Sequence, residues 1–118
     1  MEIQEAITAF AQSEKIKSGI IWVSQVLELA NGLPDKEKQG GEKVIKTLID
    51  MIVNEIRLSQ NVTNDSSWEE IEKVIDQAVI MIDSGVAHES IPHLTRALSL
   101  VVGICHSSMS FLKEKKLL

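Results

Sequence analysis

The sequence predicts an all-α fold, an antiparallel up-down-up-down bundle of four helices in a single domain over residues 1–118. Three observations carry that expectation. Apolar residues recur at alternating spacings of three and four in four separate stretches, the period of one buried helix face. Between those stretches lie residues that stop or start helices: Asn31-Gly32-Leu33-Pro34, Ser66-Ser67, Gly85 and Pro92. The chain is 44% hydrophobic yet has no Tyr, two Phe and two Trp. Its core must therefore come from Ile, Leu, Val, Ala and Met, which suits helix-on-helix packing better than a sandwich or barrel.

The first helix is expected over about residues 2–30. Ile3, Ile7 and Phe10 form one stripe, and Ile16, Ile20, Val23, Leu27 and Ala30 form another in a different register. Gln12-Ser13-Glu14-Lys15 separates them. Either a kink near residue 13, with Ser13 capping a second segment, or a different neighbour for the first turns would reconcile the two.

The second helix is expected over residues 42–59, on the row Ile45, Ile49, Ile52 and Ile56 flanked by Val44, Leu48 and Met51. Asp35 offers a cap for an earlier turn, but each Gly of Gly40-Gly41 costs roughly 1 kcal/mol in a helix interior. That predicts a loop or frayed turn over residues 35–41.

The third helix, residues 67–83, opens on a capping box of Ser67 with Glu70, or Ser66 with Glu69 one residue earlier. Trp68, Ile71, Ile75, Ala78 and Ile82 give its core stripe, and Gly85 ends it as the residue beyond the C-cap. The fourth helix, residues 91–115, accepts Pro92 in its first turn. Its stripe is Ile91, Leu94, Leu98, Val101, Cys105, Ser108 and Leu112. Short connections make successive helices antiparallel. Asn61-Val62-Thr63 and Asn64-Asp65-Ser66 match glycosylation sequons but read as a polar interhelical loop.

Composition excludes several functions. With a formal net charge of −5 and only one tight basic cluster, Lys113, Lys115 and Lys116, the chain lacks the basic stripe and stacking aromatics of a nucleic-acid binder. Its longest uncharged run, Ala97 to Leu112, is 16 residues, and a membrane span needs about 20. The first residues have neither the positive segment nor the apolar segment of an export signal, and the single Cys105 permits no internal disulfide. A cytoplasmic location is the expectation.

No catalytic constellation emerges. The residues three before His88, His93 and His106 are Gly85, Ser90 and Gly103, so the Glu-x-x-His pairs of di-metal bundles are absent. No two histidines lie one turn apart, and neither a metal site nor a cofactor is expected. Cys105 and His106 are adjacent on a helix and point about 100° apart, too far for a nucleophile and base, so Cys105 reads as a small core residue. Trp22 and Trp68 read as helix-end staples, and Met51, Met81 and Met109 as core filler.

His93 is followed by Arg96 at the third position, Ala97 at the fourth and Gly103 at the tenth. This resembles the histidine phosphotransfer domains of two-component signalling, four-helix bundles of about this length. Their phosphoacceptor His precedes Lys or Arg at the third position, a small residue at the fourth and often Gly at the tenth. The resemblance implies His93 as phosphoacceptor, Arg96 balancing the phosphoryl charge, and a receiver domain as partner. It covers about eleven residues. The chain departs from the pattern at Thr95, where the family usually has Leu, and at Pro92, which puts His93 in the first turn of its helix.

The reading preferred over that one is a non-enzymatic protein–protein interaction or structural module, homodimeric through the fourth helix. The third helix carries Val74, Val79, Ile80 and Met81 beside its stripe, and the fourth carries Leu100, Val102 and Ile104, more apolar surface than one seam needs. Ser99, Gly103, Ser107 and Ser110 form a row of small residues along which another helix can approach. An unidentified protein is the other partner this reading allows.

Overall fold

The computed structural model describes residues 1–118 and contains four α-helices: α1 (Ile3–Asn31), α2 (Asp35–Thr63), α3 (Ser67–Asp83) and α4 (Ile91–Glu114). A 3-10 turn, Ala87–Ser90, leads into α4. α1 packs on α2 and α4, and α3 packs on the same two helices. With short connections this is the antiparallel up-down-up-down bundle. It forms a rod of 52 × 21 × 19 Å. No helix is long and apolar enough to cross a membrane.

α1 is one continuous helix through residue 13. Its buried residues are Ala6, Ala9, Ser13, Ile16, Ile20, Val23, Leu27 and Ala30, one stripe at unbroken 3–4 spacing. The two apparent registers arise because the first half of that stripe is built from small residues, while Ile3 and Ile7 point to solvent. Ser13, fully buried, satisfies its hydroxyl by donating to the carbonyl of Phe10 at 3.0 Å rather than capping a segment. Cys105 and Ser108 of α4 are buried as well, so small residues are buried on both helices at this end.

α2 starts seven residues before the expected Glu42 and runs straight through Gly40-Gly41. Pro34 precedes its first turn, where Asp35 and Glu37 face the positive end of the helix dipole. An added Cβ on Gly41 would lie 3.5 Å from the Ala30 Cβ, an ordinary contact, so Gly41 sits against α1 with room for a methyl group. From Asn31 to Gly40 every residue is exposed except the half-buried Lys38. At its other end α2 reaches Thr63 and closes on Asn64, in the left-handed region at φ 53°. Asn61 therefore lies in the last turn of a helix, not in a loop.

α3 begins as expected at Ser67, but no capping box forms. Asp65 does that work, its Oδ1 accepting from the Ser67 backbone N–H at 2.9 Å. Gly85, at φ 81°, closes the helix. Val86 N–H donates to Met81 O and Gly85 N–H to Ile82 O, both at 3.1 Å, the paired bonds of a Schellman end. Pro92 stands in the first turn of α4.

One continuous core of Ile, Val, Leu and Ala, with the fully buried Trp68, joins all four helices. The Trp68 Nε1 has no hydrogen-bond partner. Trp68, in the first turn of α3, is a fully buried member of that core.

Candidate functional site

The wide apolar face expected on α3 and α4 is absorbed within the chain. Val74 and Ile104 belong to the core, Val79 and Leu100 are half-buried against it, and Met81 and Val102 are half-buried. Ile80 alone of that set is exposed. Ser99, Gly103, Ser107 and Ser110 do share an exposed face of α4. The first three line a shallow groove of about 340 Å³ whose other walls are both polar, Asp65 and Ser67, and apolar, Met1, Ala9, Leu100 and Ile104.

The exposed apolar surface lies instead on the α1–α2 pair. On α2, Val44, Leu48, Met51, Leu58 and Val62 are all exposed. With Glu55 between them they form a second stripe at spacings of 4, 3, 4, 3 and 4, beside the buried stripe of Ile45, Ile49, Val53 and Ile56. On α1 the neighbouring Trp22, Val26 and Leu29 are exposed, with Ile7 further along the helix. Trp22 is 67% exposed and Met51 59%, which overturns the staple and core-filler expectations for both.

Two depressions interrupt this face. The larger, about 360 Å³, runs between the helices and is lined by Gly19, Trp22, Val23, Leu48, Met51 and Ile52, with Lys15 and Glu55 at one end. Gly19 opens it: a Cβ there would meet Ile52 Cγ1 at 3.2 Å. The smaller, about 290 Å³, is lined by Ile7, Thr8, Ala11, Gln12, Leu58 and Val62.

A polar bridge separates them. Lys15 Nζ lies 2.9 Å from Glu55 Oε1, and Gln12 Nε2 donates to Glu55 Oε2 and to Ser59 Oγ, each at 3.0 Å. The Gln12 hydrogen bond first, and Lys15 second, hold the Glu55 carboxyl below its ordinary 4.5. Lys15 and Glu55 are the charged residues lining the two depressions, and they neutralise each other. The arrangement is apolar, charge-poor and open along two helices, the character of the central part of a protein interface.

The residues of the phosphotransfer resemblance are only partly brought together. His93 is half-buried in the first turn of α4, and Arg96 one turn on points its Nη2 at Glu70 Oε1 of α3, 3.5 Å away. His88 and His106 are exposed and separate. No group of three or more His, Cys, Asp or Glu is placed to hold a metal ion. Cys105 is buried, and its Sγ donates to Glu14 Oε1 at 2.9 Å, a partner that sequence spacing did not reveal. No known protein family, curated protein or solved structure matches the chain.

Proposed function

We propose that this protein is a non-enzymatic interaction module of the cytoplasm that presents the α1–α2 face to a helical protein surface. The observation that carries this reading is the second apolar stripe of α2, Val44 to Val62, lying uncovered beside Trp22. Exposed apolar patches of this extent mark recognition surfaces in soluble proteins, and Trp is enriched among side chains that dominate binding.

The histidine phosphotransfer reading has less support. Its His93 lies beside Pro92 rather than mid-helix, and Arg96 is already engaged by Glu70.

The test is a comparison of wild type with Trp22→Glu and Leu58→Glu, each incubated with the soluble fraction of cells that make the protein. The expected result is stoichiometric retention of a protein by wild type, loss with both variants, and slowed hydrogen exchange over α1 and α2 in the complex. Equal retention by all three, or protection confined to α3 and α4, would refute the reading.

A further inference from the structure

We infer that the occupant of the α1–α2 face is a second copy of this chain, related by a two-fold axis that runs along the helices. The inference rests on the interaction reading above and names its partner.

Size is the first argument. From Ile7 to Leu29 is about 33 Å of helix, and two helices side by side span about 20 Å, a footprint on the order of 650 Å². Stable interfaces take about 600–1,000 Å² from each partner, so this face alone suffices for a dimer.

Charge is the second. An isologous interface must complement itself, and Lys15 and Glu55 stand between the two depressions. Because α1 and α2 are antiparallel, Lys15 is level with Glu55, Gly19 with Ile52 and Ala30 with Gly41. A half-turn about an axis along the helices exchanges α1 for α2 at every level. It sets the Lys15–Glu55 pair of one copy against that of the other, with each Lys15 facing the partner's Glu55. The two intrachain pairs thereby join into one cluster of alternating sign at the centre of the interface. A half-turn about an axis across the helices would set Lys15 against the partner's Lys15 instead.

The same rotation lays each Trp22 over the partner's Leu48 and Met51, closing the larger depression of both copies with an aromatic ring against a thioether. Every helix then lies antiparallel to its neighbours.

Light scattering behind a sizing column, over a wide range of concentration, should give twice the 13.1 kDa chain mass. Trp22→Glu and Met51→Glu should each weaken the dimer at least ~30-fold, the effect of losing a dominant interface side chain. Both residues are exposed, so helical circular dichroism should not change. Lys15→Glu and Glu55→Lys, each weakened alone, should dimerise with each other when mixed, read by native mass spectrometry.

A wild-type monomer at all concentrations overturns the inference while leaving the retention experiment to judge the interaction reading. A dimer that survives the face variants but dissociates on Gly103→Leu or Ser107→Leu assigns self-association to α4 and overturns it equally. So does failure of the two charge variants to pair.

Discussion

The thiol of Cys105 on α4 donates a hydrogen bond of 2.9 Å to the carboxylate of Glu14 on α1. Glu14 also accepts from Lys17 at 3.0 Å. Burial first, and the Glu14 bond second, push the Cys105 thiol above its ordinary 9.0. The thiolate is the reactive form of cysteine, so the environment that makes Cys105 useful to packing makes it inert.

Alkylation follows from this. Cys105 should react with iodoacetamide near pH 8 at least ~10-fold more slowly than a free thiol. Glu14→Ala should raise the rate, because it removes both the acceptor and a negative charge. A wild-type rate equal to that of free cysteine would contradict the buried geometry.

Acid should weaken the fold through two carboxylates. Cys105 and Lys17 hold Glu14 below the ordinary 4.5, and Gln12 and Lys15 do the same for Glu55. A group depressed in the folded state stabilises fully above its unfolded pKa, and that contribution disappears as pH falls through the folded value. Unfolding free energy should therefore decline below about pH 4.5, modestly because both side chains remain partly exposed. Urea titrations of Glu14→Gln/Glu55→Gln should show a flatter decline over the same window.

The fully buried small residues of α1 should tolerate no growth. Ala6→Leu and Ser13→Leu place bulk at positions with no exposed surface and should each destabilise by about 1–3 kcal/mol. Ile3→Ser, at an exposed position in the same turns, should change stability by no more than about 0.5 kcal/mol. Denaturant midpoints at fixed slope measure both, and the reverse ranking would restore Ile3 to the core.

Glycines should divide by backbone angle. Gly40 and Gly103 sit in helices with nothing within 4 Å of an added Cβ, so Ala at either should stabilise by roughly 1 kcal/mol. Gly85, at φ 81°, ends α3 in a conformation that L side chains resist, and Gly85→Ala should destabilise by about 1 kcal/mol or more. Thermal melts of the three variants would show two rises and one fall.

Much of the fold was legible because α3 and α4 bury large residues at regular spacing, from Trp68 to Ile82 and from Leu94 to Leu112. α1 was harder for a physical reason. Its N-terminal half buries Ala6, Ala9 and Ser13 and exposes Ile3 and Ile7, the reverse of what side-chain hydrophobicity suggests. The extra apolar residues expected on α3 and α4 are mostly buried or half-buried within the chain, and most of the exposed large apolar residues lie on α1 and α2. Val44, Leu48 and Met51 read as the flank of the α2 core row, and only the position of α1 shows that they, with Leu58 and Val62, stay uncovered. Which helix covers which stripe depends on the crossing of α1 and α4, and no local spacing encodes that.

The hairpin that joins α1 to α2 has a kinetic consequence. Residues 31–40 are helical or turn-like yet almost wholly exposed, with Gly40 open on every side. Such a segment opens at far lower free energy than the bundle behind it, so its amides lose protection long before those of Ile49 or Ile75. The rod therefore frays from one end, and a protease that cuts near Lys36 or Lys38 would find its substrate in the native state rather than in the unfolded chain.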